Sequence, residues 1–217
     1  MNKKFISAAI FGLLFVVLIA MLCTFDVSPI GPEGTEIGFS SLNGAVRDAL
    51  STNDTWYAIS ELFGYLSIAS AGIFVLLGAI QMLERKSLLK VDKKLYALAG
   101  LYAVTVFFYA LFEVVVINYR PIIEAGAEHV EASFPSSHTM LTCVIMGGAF
   151  VLIGEYIKNR GLCTALRCVA IALAAITVVG RLLSGVHWFT DIVGGVLVSL
   201  ALVTLFAAVC DKLEAKK

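Results

Sequence analysis

The sequence predicts an all-α integral membrane protein with six transmembrane helices, and three observations predict it. The 217-residue chain combines a mean hydropathy of +0.92 with only 15% charged residues, far from an ordinary water-soluble domain. Six apolar stretches approach the ~20 residues that a spanning helix needs. Lysine and arginine crowd into the segments that six spans would place on one side of a bilayer.

The first stretch, 5–23, carries no charge and follows Lys3 and Lys4. At 19 residues it exceeds a signal-peptide core, and no small-x-small cleavage site follows, so a retained first helix is expected. Ala20, Met21 and Leu22 before Cys23 fit a lipoprotein cleavage site poorly. The segment 25–55 comes next, with Pro29, Pro32 and glycines, then Ile37, Leu42, Val46 and Leu50 at helical spacing. Those four suit a short helix lying in the membrane interface, with Trp56 and Tyr57 as aromatic anchors; a packed loop is the other reading. Asn53 or Asp54 is placed to cap the second span, 62–83. The third span is 95–112, and the fourth is 139–154, extendable to Ser136 and Ile157. The fifth, 162–183, holds Arg167 near one end, and the sixth, 192–210, is uncharged. Gly147-Gly148 and Gly194-Gly195 are expected close-packing points between helices. The whole chain, 1–217, reads as one six-helix membrane domain.

Six spans put both termini and the 84–94 and 155–167 loops together. That side collects Lys3, Lys4, Arg85, Lys86, Lys90, Lys93, Lys94, Lys158, Arg160, Arg167, Lys212, Lys216 and Lys217, 13 of the 16 basic residues. Arg47, Arg120 and Arg181 remain for the other side, so the expected orientation is N-in, C-in. The overall net charge is zero, which gives no reason to expect a nucleic-acid partner. The five cysteines, Cys23, Cys143, Cys163, Cys168 and Cys210, form neither a Cys-x-x-Cys pair nor a metal-ligand spacing and read as packing residues.

Three short polar stretches fall at the outer ends of the third to sixth spans, and that coincidence is the functional signal. "NYRP", 118–121, places Arg120 where Pro121 is expected to stop the third helix. "FPSSHT", 134–139, opens the fourth helix with proline and serines, so the N–H groups of Ser136, Ser137 and His138 lack intrahelical partners and suit an anion such as phosphate. "GRLLSGVHWFTD", 180–191, breaks the apolar sequence with Arg181, His187 and Asp191. His187 and Asp191 are four residues apart, which on one helix face would let the carboxylate orient the imidazole and leave its other nitrogen free as a nucleophile or base. Two arginines, two histidines, an aspartate and a helix N-terminus are the inventory of a phosphoryl-transfer site.

With these residues in hand, the sequence resembles the type 2 phosphatidic acid phosphatases, relatives of the vanadium haloperoxidases and of bacterial non-specific acid phosphatases. That family's pattern is Lys, six residues, Arg-Pro; then Pro-Ser-Gly-His; then Ser-Arg, five residues, His, three residues, Asp. Here Arg120-Pro121 matches the end of the first part and Pro135-Ser136-Ser137-His138 the second, with Ser137 in the glycine place. Arg181, His187 and Asp191 match the third with its spacing kept, and Gly180 takes the serine place. The resemblance implies a helical bundle of the acid phosphatase and vanadium haloperoxidase type. It implies that His187 attacks phosphorus to form a phosphohistidine, Asp191 orients it, and His138 protonates the leaving oxygen and later activates water. Arg120, Arg181, Ser136 and the backbone at Ser137 would hold the phosphoryl oxygens, with no metal and no cofactor.

One position departs from the pattern: Glu113 stands where the family has lysine, seven residues before Arg120. On a continuous helix it would lie on the Arg120 face, about 10 Å deeper. Three roles are open for it: pairing with an arginine, lining a substrate headgroup pocket, or packing as a protonated acid between helices. Glu61 is a second intramembrane carboxylate, expected to join this site or to meet Arg47. His129, among Glu124, Glu128 and Glu131, belongs to a solvated outer loop or to a cation-binding patch.

The expected function is hydrolysis of a lipid phosphate or pyrophosphate, of the undecaprenyl pyrophosphate, phosphatidic acid or phosphatidylglycerol phosphate class. The setting is the outer face of a bacterial cytoplasmic membrane, with the bilayer and a lipid substrate as partners. Two readings of other classes stand beside it: a non-catalytic phospholipid-binding protein, and a membrane serine hydrolase built on Ser136 or Ser137 with His187 and Asp191.

Overall fold

The computed structural model describes residues 3–124 and 126–215, and within them the six expected spans are helices long and apolar enough to cross a membrane. Lys216 and Lys217, counted above with the basic side, lie outside the described residues. In chain order the helices are α1 (Lys3–Thr24), α2 (Ser40–Leu50), α3 (Asp54–Arg85), α4 (Lys93–Val114), α5 (Ser137–Tyr156), α6 (Arg160–Leu183) and α7 (Phe189–Glu214). All but α2 are spans. The protein is thus a multi-pass, all-helical membrane protein.

Local chemistry explains most of the boundaries. Asn53 caps α3, its Oδ1 accepting from the Trp56 N–H at 3.1 Å, and Asn159 caps α6 by accepting from Leu162 N–H at 3.0 Å. At 32 residues α3 is about 48 Å long, well beyond the ~30 Å hydrocarbon layer, so its first turns carry Tyr57 and Glu61 past the apolar stretch 62–83. The segment after α1 does contain a short helix: Asn43 on α2 donates to Gly38 O at 2.8 Å and to Thr190 Oγ1 at 3.0 Å, and its own carbonyl accepts from Thr190 N–H. Those bonds dock α2 on the start of α7.

One boundary differs from expectation. The third span ends at Val114, six residues before Arg120, and Pro121 is not what stops it. The run Val114-Val115-Val116-Ile117 is β-branched and favours extended backbone. Residues 118–120 instead pair with 131–133: Arg120 N–H donates to Glu131 O and Ser133 N–H to Asn118 O, both at 2.9 Å, around a Tyr119–Ala132 bridge. Arg120 is therefore held by a short antiparallel rung, and Glu113 does not sit two helical turns beneath it.

The core runs between α1, α4, α5 and α7, through Phe15, Leu98, Met140, Val144, Val198 and Phe206. Contact there is close because side chains are missing: a Cβ on Gly147 would come within 2.6 Å of Val203, and one on Gly148 within 2.8 Å of Leu98. Helix α1 belongs to this core, with Phe15 stacked on Phe134 and edge-on to Phe112. At its other end Lys4 pairs with Asp211 at 2.8 Å, and Lys94 on α4 pairs with Glu155 and Glu214.

Candidate active site

The N-termini of α3, α5 and α7 and the C-termini of α4 and α6 meet at one end of the bundle, and the residues singled out in the sequence converge there. Phe134 fixes the loop that carries them. It is 1% exposed, stacks on Phe15 at 5.8 Å, meets Phe112 edge-on at 5.8 Å, and lies where a Cβ on Gly194 would be only 2.3 Å away. The next residues open α5, and Ser136 N–H donates to the backbone O of Asp191 at 3.1 Å, tying α5 to the first turn of α7.

Asp191 is fully buried. Its Oδ1 accepts from Asn118 Nδ2 at 3.0 Å and its Oδ2 from the Trp188 N–H at 3.0 Å. Helix α7 begins only at Phe189, so His187 precedes it and the pair does not share a helix face as expected. The Nδ1 of His187 lies 3.7 Å from Asp191 Oδ2, too far for a hydrogen bond. Trp188 locks the turn from the other side, its Nε1 donating to Tyr119 O at 2.7 Å.

His187 is 5% exposed, and neither ring nitrogen has a hydrogen-bond partner. Burial above all, and then the positive charges of Arg120 and Arg181, hold its pKa well below the usual imidazole range. The ring is thus neutral, with a lone pair available. It lines a cavity of ≈ 20 Å³, about the room of one water-sized group, together with Glu113, Arg120, Ser133 and Ser137. Ser133 Oγ on its wall, and Ser136 Oγ, Thr139 Oγ1 and Arg181 Nε elsewhere at this end of the bundle, are also buried without hydrogen-bond partners. That concentration of unspent donors suits an oxyanion.

The two arginines are held differently. Arg120 pairs through Nη1 with Glu124 Oε1 at 2.8 Å and through Nε with Glu131 Oε2 at 3.4 Å, and Nη1 reaches Val186 O at 3.4 Å. The Arg181 side chain is 1% exposed; its Nη1 donates to Glu61 Oε1 at 2.9 Å, its Nη2 lies 2.9 Å from His138 Nδ1, and its guanidinium sits over the Tyr57 ring. His138 Nε2 is in turn 3.0 Å from the same Glu61 oxygen.

Glu61 is therefore in the site, and Arg47 is elsewhere, over Trp188 and near Ile30 O. The sequence left Glu61 between this site and Arg47, with no sign of its contacts to Arg181 and His138; Asn118 lay inside "NYRP" with no sign of its bond to Asp191. His129 is 82% exposed and meets Glu33 at 3.2 Å, which also accepts from Val130 N–H, so this pair clips the outer loop to the turn at 32–34. Glu113 reaches the cavity wall while staying exposed, and among the described residues no arginine pairs with it.

Residues 95–214 match the family model described as the PAP2 superfamily. No curated protein matches the chain in sequence. Among solved structures the chain is similar to the crystal structure of the first transmembrane PAP2 type phosphatidylglycerolphosphate phosphatase from Bacillus subtilis, with a TM-score of 0.69 and 19% identity over 95% of this chain and 96% of that one.

Proposed function

Because the chain belongs to the PAP2 superfamily, we propose that it is a membrane lipid phosphatase that works through a phosphohistidine intermediate. The observation that carries this reading is the neutral, unpartnered His187 beside Arg120 and Ser137 on one cavity wall, with Asp191 behind its ring. His187 attacks phosphorus; as the phosphoryl group binds, Asp191 stabilises the charge that develops on the imidazole. Arg120, Arg181, the Ser136 and Ser137 groups and the free helix N–H groups bind the equatorial oxygens. His138 gives a proton to the leaving oxygen and then takes one from the water that releases phosphate. The chemistry asks for no metal.

A lipid substrate is supported by a groove of ≈ 660 Å³ along α5, α6 and α7, lined by Met146, Phe150, Ile171, Val179, Leu200 and Val203. Its wall is almost wholly apolar and reaches Val178, one helical turn from Arg181, so a chain lying in it has its polar end near the site. The phosphatidylglycerol phosphate class is one candidate, in keeping with the solved structure similar in fold, beside phosphatidic acid and undecaprenyl pyrophosphate. With the basic loops cytoplasmic, the site opens on the extracytoplasmic face of a bacterial inner membrane, N-in and C-in.

The test is phosphate release by the purified protein from a panel of these lipid phosphates, with His187→Ala as control and vanadate as inhibitor. Release that vanadate blocks and His187→Ala abolishes is expected. No release from any lipid, or activity unchanged in His187→Ala, overturns the reading.

A further inference from the structure

Helix α3 lies outside the stretch that matches the family, yet it supplies one wall of the site. Tyr57, Glu61 and Gly64 follow at i, i+4 and i+7 and so form one stripe on its surface. Each meets a different part of the catalytic pair: the Tyr57 ring lies under the Arg181 guanidinium at 5.2 Å, Glu61 Oε1 touches both Arg181 and His138, and a Cβ on Gly64 would come within 3.0 Å of His138 Cδ2. A larger residue at 64 would push α3 and His138 apart. The missing side chain is what lets the carboxylate one turn earlier reach the ring.

We propose that Glu61 is the positioning residue for proton transfer by His138, a second histidine–carboxylate pair facing His187 and Asp191. This rests on the phosphatase reading above and deepens it. An arginine has only donors, so His138 Nδ1, 2.9 Å from Arg181 Nη2, must accept, and the ring proton sits on Nε2 facing Glu61. Glu61 thereby fixes both the tautomer and the ring plane. When a bound phosphoryl group takes over the Arg181 Nη2 donor, Nδ1 is freed to take a second proton and act as acid, and the carboxylate stabilises the imidazolium through Nε2–H. In the first half-reaction the P–N bond to His187 forms as the P–O bond breaks, and the Nδ1 proton goes to the leaving oxygen. In the second a water gives its proton to Nδ1 as its oxygen binds phosphorus and the P–N bond breaks, and inorganic phosphate leaves. The shared oxygen also links the acid to Arg181, so binding of a phosphoryl group by that arginine is felt at the ring that must donate.

The water step is the same for every substrate, but kcat/KM reports only the steps up to departure of the leaving group, where the acid matters only if that group needs a proton, and that gives the test. Purified wild type, Glu61→Gln, His138→Ala and the double variant are assayed on a dialkylglycerol phosphate in mixed micelles and on p-nitrophenyl phosphate, whose leaving group departs without protonation. Glu61→Gln is expected to lower kcat/KM on the lipid by roughly 10²–10³-fold, the range for general acid catalysis, and to lower it less than ~10-fold on the aryl ester. The double variant is expected to be no slower on the lipid than His138→Ala, since the two residues act as one unit. Retained aryl phosphatase activity shows that the variant is folded. Equal losses on both substrates, no loss on either, or fully additive losses overturn the proposal. Wild type inactive on both substrates overturns instead the phosphatase reading itself.

Discussion

Gly194 makes the sharpest demand on the structure, because its absent side chain is the space that Phe134 occupies. In Gly194→Ala the new Cβ would be built 2.3 Å from Phe134 Cε2 and 2.7 Å from Cζ, where real Cβ contacts essentially never fall. Phe134 cannot yield cheaply, being stacked on Phe15 at 5.8 Å with Phe112 against its edge at 5.8 Å. Overpacking of this kind costs about 1–3 kcal/mol. For a chain of this length each kcal/mol is worth about 2–4 °C in Tm, so a drop of about 2–12 °C is expected. Because Phe134 is followed at once by Pro135, Ser136, Ser137 and His138, kcat/KM should also fall. The assay is thermal unfolding in detergent followed by circular dichroism, with phosphate release in parallel. Gly12→Ala is the control: it lies in α1 with nothing within 4 Å of its Cβ, and glycine to alanine in an open helix position is neutral to stabilising. A Gly194→Ala protein with unchanged Tm and activity, or a Gly12→Ala protein destabilised as much, would refute the packing argument.

Other outcomes follow from the same coordinates. Glu113→Lys places an ammonium on the cavity wall shared with Arg120 and His187, and should lower KM for a lipid phosphate by roughly tenfold, the worth of one charge-assisted hydrogen bond; a raised KM in steady-state assays would show that the carboxylate has a task of its own. Asn118→Ala deletes the amide donor to the buried Asp191 carboxylate and should cost about 1.5–3 kcal/mol of stability, read as a fall in Tm, with kcat more affected than KM. His187, whose pKa is lowered by burial and by the cations around it, must take up a proton on unfolding at acid pH. The unfolded chain then binds more protons, so stability should be intact above about pH 6.5 and fall below it by at most ~1.4 kcal/mol per pH unit. His187→Gln should remove that part of the slope in denaturation curves measured between pH 7 and pH 5.

How far the site could be read from sequence depended on the range of each interaction. The six spans rest on local hydropathy, and all six are present. Arg181, His187 and Asp191 sit within one short stretch, so their spacing alone brought them together, and "PSSH" did the same for the opening of α5. Where the reading needed a helix to continue, it failed. Proline is the expected stop for the third span, whereas the chain leaves the helix in the β-branched run at 114–117 and residues 118–120 then pair with 131–133. The His187–Asp191 pair was placed on a helix face, but the carboxylate caps the start of α7 and leaves the imidazole just ahead of it.

Sequence by itself determined the class of molecule, the number of spans and the residue types of the proposed phosphoryl-transfer centre, because hydropathy, charge placement and short spacings are properties of neighbours in the chain. Tertiary structure alone decided how those residues are partnered. Glu61 meets Arg181 across 120 positions, and Asn118 meets Asp191 across 73, contacts no local pattern encodes. They exist because α3 overshoots the bilayer core at one end, Gly64 and Gly194 let helices and the Phe134 ring approach, and a buried carboxylate must find donors wherever the packed chain supplies them.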